Sequence, residues 1–371
     1  MRTEKYLKNV FMYLMIAVFL LSLCSCKKQK KDEKDIKEDE TISEDVTKNE
    51  SEDSQEIVVP EEKTDGSIKY QIDIVDEGEI IFYSSSGYYR YGPSIMKNED
   101  GSYDAWFSSP GNSGSQWDWI TYRHSDDGIS WNEEEIVLKP TPGSKDQCSV
   151  CDPGLIYFGD YYYLGYTGTD YYEGNGSKNS AFVARSKNPD GPYEKWNGNG
   201  WGGAPEPIIE YEGDPKGWGI GELSFVIKDD DLFIYYTNVD VSGGYIELCK
   251  ADLVEDWPNT IRFKDQVLLR EHQDSLDVVY DEKNDVFIGF SIFLRMSSGS
   301  TLIMYTSPNG KLFEEADRKK DGIEEYAHNM GIAKSKEGWI SSDELLLIGY
   351  AYGKDWGRWN TRFQQIMITR Q

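Results

Sequence analysis

The apolar residues of this chain fall into short runs that pair across tight turns. The clearest pair lies in residues 148–170, CSVCDPGLIYFGDYYYLGYTGTD, where two runs rich in aromatics flank Gly159-Asp160. Two β-prone runs joined by a glycine-containing turn predict a β-hairpin. Asp152-Pro153 opens the first run, and a proline, which cannot donate to a ladder, is tolerated where a strand begins. The pattern therefore places Asp152 at the head of a strand.

The same pattern recurs along the chain. Five copies, roughly 50 to 70 residues apart, cover residues 91–107, 148–167, 221–236, 276–290 and 328–350. Outer hairpins follow at residues 120–131, 182–196 and 304–313, with Asp-Gly or Asn-Gly turn chemistry. This arrangement predicts an all-β, five-bladed β-propeller with about four antiparallel strands per blade. The final run, residues 364–369, is expected to pair with a strand from the N-terminal part and so close the ring.

The first 67 residues differ from the rest. A basic start is followed by an apolar run, residues 10–23, that ends at Cys24-Ser25-Cys26 and is typical of a secretory signal peptide. The sequence 23–26 resembles the lipobox of bacterial lipoproteins, which implies lipidation at Cys26, an extracytoplasmic location and membrane anchoring. An ordinary cleaved signal or a single anchoring helix are the alternatives. Residues 27–67, rich in Lys, Glu, Asp and Ser, are predicted to be a disordered tether, and residues 68–371 a single, monomeric domain.

Composition narrows the class of function. Aromatic residues make up 14% of the chain and there are 35 glycines, which favours an all-β protein. The formal net charge of −27 argues against a nucleic-acid partner, because a phosphate-binding surface needs clustered Lys and Arg. No phosphate-binding or dinucleotide-binding glycine motif appears between a strand and a helix.

The heads of the inner strands are the candidate site. In a propeller the first strand of each blade lines the central channel, so these residues converge on one mouth. Carboxylates, a histidine and an arginine in one funnel are costly unless they are paired or used in chemistry. The converging residues are Arg90, Tyr91, Gly92, Asp152, Glu222, Asp277, His328 and Asn329.

These motifs resemble a known family. Asp152-Pro153, Gly221-Glu222 and the turns at 125–131 and 186–193 are similar to those of the five-bladed glycosidases of glycoside hydrolase family 43, the arabinanases and xylosidases, and of the related families 32 and 68. The resemblance implies hydrolysis of arabinosides, xylosides or fructosides in oligosaccharides or polysaccharides by carboxylate acid/base catalysis. It implies that Glu222 is the general acid and that Asp152 tunes its pKa or stabilises the transition state.

One family feature is missing. Where the family carries an Asp-Pro in the first blade, this chain has Gly92-Pro93. Asp277 is the first candidate to supply the absent carboxylate as base or nucleophile. The alternative is a carbohydrate-binding propeller that has lost hydrolytic activity.

The remaining candidates concern substrate and metal binding. Trp106, Trp218 and Trp356 are candidate platforms for sugar rings, although tryptophan also packs between blades. Arg90 or Arg358 are expected to hold a sugar carboxylate or to pair with acids of the site. No cofactor is expected; the resemblance allows a structural Ca²⁺ held through water by His328, with a core histidine as the alternative. Cys148 and Cys151 are expected either to form a disulfide or to remain two buried thiols.

Overall fold

A computed structural model describes residues 69–85, 88–113, 116–174, 176–270 and 274–370. The predicted signal peptide, Cys26 and the tether lie outside these residues. Within them, none of the helices has the length and apolar character needed to cross a membrane. The described helices are two 3₁₀ turns, Tyr172–Gly174 and Trp257–Thr260.

Strands make up the architecture. In chain order they are β1 (Tyr70–Ile74), β2 (Glu79–Phe82), β3 (Tyr91–Lys97), β4 (Tyr103–Ser113), β5 (Gln116–Ser125), β6 (Glu135–Leu138), β7 (Ser149–Phe158), β8 (Tyr161–Thr169), β9 (Ser180–Ser186), β10 (Glu194–Lys195), β11 (Gly219–Lys228), β12 (Asp231–Asp240), β13 (Gly243–Asp252), β14 (Arg262–Arg270), β15 (Asp277–Asp281), β16 (Val286–Phe293), β17 (Thr301–Ser307), β18 (Glu314–Lys319), β19 (Ala327–Ile332), β20 (Trp339–Ile340), β21 (Leu346–Tyr352) and β22 (Asn360–Arg370).

These strands form five blades. Blades one to four are β3–β6, β7–β10, β11–β14 and β15–β18, each with its strands in sequence order and antiparallel. Blade five is β19-β21-β22-β1, with β2 also paired to β22, and β20 adds a short parallel pairing to β15. The predicted all-β, five-bladed propeller with four antiparallel strands per blade is confirmed.

The ring closes between the two ends of the folded domain. Strand β1 pairs antiparallel with β22, so that Ile72 lies opposite Ile368 and both are buried. The predicted pairing of residues 364–369 with an N-terminal strand is therefore confirmed. A closed ring covers sheet edges that would otherwise remain open for pairing.

The inner strands carry a repeated irregularity at the channel mouth. Pairing with the next strand is interrupted by a β-bulge in β3, β7, β11 and β19. One residue in each bulge has a left-handed backbone, and a bulge re-aims its side chain. These residues are Gly92 (φ 58°), Asp152 (49°), Glu222 (54°) and Asn329 (42°).

The inner strands also approach one another closely around the axis. A Cβ at Gly154 would lie 2.0 Å from the carbonyl oxygen of Leu223, and one at Gly331 would lie 1.9 Å from that of Pro93. Glycine is therefore required at both positions. Outside the channel, aromatic and aliphatic side chains of adjacent blades interdigitate, and among them Trp106, Tyr163 and Phe225 are fully buried.

Candidate active site

A pocket of about 490 Å³ opens at the channel mouth. Its floor is polar and acidic, and its walls are aromatic. It is lined by Tyr89, Tyr91, Gln116, Trp117, Asp118, Ser149, Cys151, Asp152, Gly176, Asn179, Trp218, Glu222, Arg295, His328, Asn329, Trp356 and Trp359. A few polar groups converging in an aromatic-lined cleft are the usual composition of a small-molecule site.

Asp152 and Glu222 lie together on the pocket floor. Each is 8% exposed and stands at the bulge of its inner strand. Their backbone N–H groups are held in the same way, since Asp152 N donates to Ser108 Oγ (2.8 Å) and Glu222 N to Thr167 Oγ1 (2.9 Å) of the preceding blades. The bulges and these hydroxyls fix the direction of both carboxyl groups.

The two carboxyl groups interact electrostatically. Burial is the largest cause and the charge of Glu222 the second, and together they raise the pKa of Asp152 to about 8. Like charges this close cannot both ionise without cost, so the pair retains one proton near neutral pH. The Cys151 thiol donates to Asp152 Oδ2 at 3.2 Å. The floor therefore offers a proton to a bound molecule.

A hydrogen-bonded chain leads from His328 to Glu222. Asn329 Nδ2 donates to Glu222 Oε1 at 3.0 Å, so Asn329 Oδ1 accepts from His328 Nδ1 at 2.8 Å. Burial, followed by the charge of Arg295, lowers the pKa of His328 to about 4. His328 is therefore neutral at pH 7, with its proton on Nδ1. The amide and imidazole orient Glu222 without adding charge.

Asp118 also lines the pocket and was not predicted from the sequence. It lies on β5, the third strand of blade one, and not at the head of an inner strand. Tyr89 Oη donates to Asp118 Oδ1 at 2.5 Å and Ser149 Oγ to Oδ2 at 3.2 Å. Burial raises the pKa of Asp118 to about 6, although hydrogen bonds from Tyr89, Ser149 and Tyr91 oppose that rise. The aromatic stretch 117–119 gave no sign that this acid faces the channel.

Arg295 was also missed, because it belongs to the loop between β16 and β17. Its Nε lies 3.1 Å from Asp274 Oδ1, and Asp274 Oδ2 accepts the backbone N–H of Asn329 at 2.6 Å. Burial alone would lower the pKa of Arg295, but nearby carboxylates, first Asp274 and then Glu222, raise it. Arg295 thus supplies positive charge beside a cluster of acids.

Asp277 is placed elsewhere. A narrower cavity inside the channel is lined by successive residues of the inner strands, 92–94, 152–154, 222–224, 275–277 and 329–330. In this alignment Ser275, not Asp277, stands in blade four where Asp152 and Glu222 stand in blades two and three. Asp277 lies two residues deeper, pairs with Lys334 (Oδ1–Nζ 2.6 Å) and accepts from Ser224 Oγ (2.7 Å). The fold does not bring Asp277 to the pocket.

Tyr91, Trp218, Trp356, His328 and Asn329 all line the pocket, as their sequence positions predict. Trp356 stands at the rim and is 78% exposed. It contacts the buried Trp359, whose ring packs against His328 with a centroid distance of 4.6 Å. An exposed indole on a rigid aromatic base is suited to stacking on a sugar ring.

Three of the predicted substrate-binding residues do not line the pocket. Trp106 is fully buried between blades and its Nε1 donates to the carbonyl of Pro189. Arg90 forms a two-pronged ion pair with Glu134 and lies over the ring of Phe82. Arg358 is exposed on the loop that carries Trp356 and is not among the pocket residues.

Two further predictions concern the cysteines and a bound metal ion. Cys148 and Cys151 are free and buried, which matches the alternative of two thiols. Among the residues described, no group of three or more His, Cys, Asp or Glu side chains is arranged to hold a metal ion. His328 directs Nδ1 to Asn329 and, within the described part of the chain, does not belong to such a group. The Ca²⁺ site stays a prediction.

Comparison with known proteins identifies the fold. No protein-family model matches the sequence, and a search of curated proteins found no match. Among solved structures, the chain is similar to a family 117 glycoside hydrolase of Zobellia galactanivorans (15% identity, 81% of this chain and 90% of that chain, TM-score 0.58). It is also similar to an endo-arabinase of Bacteroides thetaiotaomicron (15% identity, 76% of this chain and 96% of that chain, TM-score 0.52). A third similar structure is an N-acetylgalactosamine deacetylase of F. plautii (14% identity, 81% of this chain and 95% of that chain, TM-score 0.55). The chain therefore has the propeller fold of carbohydrate-active enzymes, among them several glycoside hydrolases, while membership of family 43 stays a prediction.

Proposed function

We propose that this protein is a glycoside hydrolase that cleaves oligosaccharides or polysaccharides in the channel-mouth pocket. The observation that carries the proposal is the Asp152–Glu222 pair, two buried carboxyl groups on the floor of an aromatic pocket, where burial and the charge of Glu222 raise the pKa of Asp152 to about 8. A glycosidase needs one carboxyl group that stays protonated to release the leaving oxygen and another that stays ionised. The structural neighbours support a glycan as the substrate.

Glu222 is assigned the role of general acid. Its carboxyl group is oriented by Asn329, and the raised pKa of Asp152 beside it keeps a proton in the pair. The Glu222 carboxyl group gives its proton to the oxygen of the leaving sugar as the bond from that oxygen to the anomeric carbon breaks. Trp356 and Trp218 hold sugar rings in the pocket, and arabinosides, xylosides and fructosides are the first substrates to test.

The test compares leaving groups. Glu222→Gln should lower kcat/KM by 10²-fold or more on natural glycans, because the leaving alcohol then departs without a proton. The loss should be much smaller for a dinitrophenyl glycoside, whose leaving group needs no acid. Glu344→Gln, which changes an exposed glutamate paired with Lys97 away from the pocket, is the matched control. Equal losses on both substrates would contradict the acid role of Glu222.

A second candidate is glycan binding without hydrolysis. The observation that favours it is Gly92, which leaves the first blade without a carboxylate at the position where blades two and three supply Asp152 and Glu222. Calorimetric titration with the same glycans decides between the two. Binding with no product after prolonged incubation would support the second candidate.

Anchoring at a membrane through lipid on Cys26 is part of the same proposal and rests on the lipobox-like sequence 23–26 alone. Cys26→Ala should move the protein from the membrane fraction to the soluble fraction of the producing cells. Unchanged fractionation would contradict lipid anchoring. The monomeric state also stays a prediction, to be measured by sedimentation.

A further inference from the structure

The pocket contains a third carboxyl group besides Asp152 and Glu222. Asp118 projects from β5 of blade one, the blade that carries Gly92. It lies close enough to Asp152 for its charge to raise the pKa of Asp152. Blade one therefore does supply an acid to the pocket, but from its third strand.

We propose that Asp118 is the catalytic base of the hydrolysis, in place of the carboxylate that the Gly92 position lacks. This inference rests on the proposed function. Asp118 accepts a proton from a water molecule as the water oxygen forms a bond to the anomeric carbon. The bond from that carbon to the leaving oxygen breaks, and the leaving oxygen takes the proton held by the Asp152–Glu222 pair. One water and one glycosidic bond give two hydroxyl groups.

The pKa values of the pocket acids agree with Asp118 as the base and the Asp152–Glu222 pair as the acid. The groups that face Asp118 are Tyr89, Tyr91, Cys151 and Asp152. The pKa of Asp118 is raised only to about 6, so Asp118 is ionised at pH 7, whereas the Asp152–Glu222 pair keeps its proton up to about pH 8. Two titratable sites with pKa values on either side of neutrality mark a base and an acid.

A purely structural role explains Asp118 less well. The donors in its described contacts are hydroxyl groups, from Tyr89, Ser149 and Tyr91, and none of these contacts involves a cation. Keeping a carboxylate ionised with neutral donors alone is costly. An ionised group in a solvent-open pocket is useful when a proton must be accepted.

Chemical rescue tests the proposal. Asp118→Ala should lower kcat/KM on a dinitrophenyl glycoside by 10²-fold or more. Sodium azide should restore turnover, because the anion fits the space left by the carboxylate and attacks the anomeric carbon without a base, and a glycosyl azide should appear. Asp118→Asn, which keeps the shape and the acceptor oxygen, should bind glycan like the wild type, remain inactive and gain nothing from azide.

The outcomes separate this inference from the proposed function. Asp118→Ala activity within a few-fold of wild type, beside an inactive Glu222→Gln, would overturn the base assignment and leave the glycosidase intact. Loss of glycan binding in Asp118→Asn, or lost activity in Asp118→Ala that azide does not restore, would show a structural role and also overturn it. A wild-type protein that hydrolyses nothing in the panel would overturn the proposed function together with this inference.

The pH profile gives an independent readout. A base must be ionised, so the acid limb of kcat/KM should follow Asp118. Tyr89→Phe removes a hydrogen bond that favours the carboxylate, which should move that limb to higher pH while the alkaline limb stays in place. An acid limb that does not move in Tyr89→Phe would count against Asp118 as the base.

Discussion

Gly92 faces the carboxylate of Asp152, since a Cβ at Gly92 would lie 3.4 Å from Asp152 Oδ1. The backbone at Gly92 has the same left-handed conformation as that of Asp152, Glu222 and Asn329. Position 92 therefore has room for a Cβ in ordinary van der Waals contact with Asp152 and Ser108, on a backbone that is strained for any residue other than glycine.

Gly92→Asp should fold and should be moderately less stable than the wild type. The left-handed backbone costs a residue with a Cβ about 1–2 kcal/mol, less for Asp and Asn than for other residues. The added carboxyl group also joins the Asp152–Glu222 pair, so its pKa in the folded protein should be raised. Chemical denaturation of Gly92→Asp beside its neutral analogue Gly92→Asn measures both effects.

The sign of the pH effect follows from linkage. A carboxyl group whose pKa is raised in the folded state contributes stability below its unfolded pKa and loses it as pH rises through the folded pKa. The free energy of unfolding of Gly92→Asp should therefore fall below that of Gly92→Asn as pH rises from about 4 to 8. Parallel curves would show that the carboxyl group at position 92 does not sense Asp152.

Asp277 and Lys334 should behave as a structural pair. The Lys334 side chain is 3% exposed, and Asp277 Oδ1 lies 2.6 Å from its Nζ. Removing one partner of a buried pair costs about 3–5 kcal/mol, because the other charge stays buried. Asp277→Asn should therefore lower the free energy of unfolding by that order, and Asp277→Leu/Lys334→Met should recover part of it. Lost activity in Asp277→Asn at unchanged stability would instead favour the catalytic role predicted from the sequence.

The Asp152–Glu222 pair should set the alkaline limb of activity. Asp152→Asn removes the carboxyl group whose raised pKa keeps a proton in the pair, so that proton should be lost at lower pH. With a dinitrophenyl glycoside as a permissive substrate, the alkaline limb of kcat/KM should move below its wild-type midpoint, which we place near pH 8. An alkaline limb at the wild-type position would mean that Asp152 does not tune the acid.

The same variant has a stability signature. Because the folded pKa of Asp152 is raised, its favourable contribution is present below about pH 4 and is lost as pH rises to about 8. Asp152→Asn should therefore gain stability relative to wild type across that range, by more than about 1 kcal/mol at pH 8. Thermal unfolding of both proteins at pH 5 and pH 8 gives the comparison.

Substitutions of two neighbouring tryptophans should have different effects, one on glycan binding and the other on stability. Trp356 is 78% exposed, so Trp356→Ala should raise KM several-fold and leave Tm unchanged. Trp359 is buried against His328 and Tyr91, so Trp359→Ala should cost about 3–5 kcal/mol of stability. If Trp356→Ala left both KM and glycan affinity unchanged, the rim would not be a sugar platform.

Local patterns predicted most of the fold. Hairpins at 148–170 and its four counterparts are encoded by alternating β-prone runs and turn residues, which act over short distances along the chain. The repetition of those hairpins predicted the blades, and the run 364–369 predicted the strand that closes the ring. Inner strands converge in any propeller, so Asp152 and Glu222 were found from sequence as well, although each is the fourth residue of its strand and not the strand head that was predicted.

The sequence by itself determined the propeller, its closure and the two acids on the pocket floor. Only the tertiary structure decided that Asp277 belongs to Lys334, 57 residues away, and that Asp118 and Arg295 belong to the pocket. The described pairing of β15 with β16 has no register shift, unlike that of the other four inner strands, and no periodicity in the sequence reveals this difference, so the strand head in blade four was placed two positions too deep. Charge pairing and burial depend on which blades and loops meet in space, and those contacts leave no local trace in the chain.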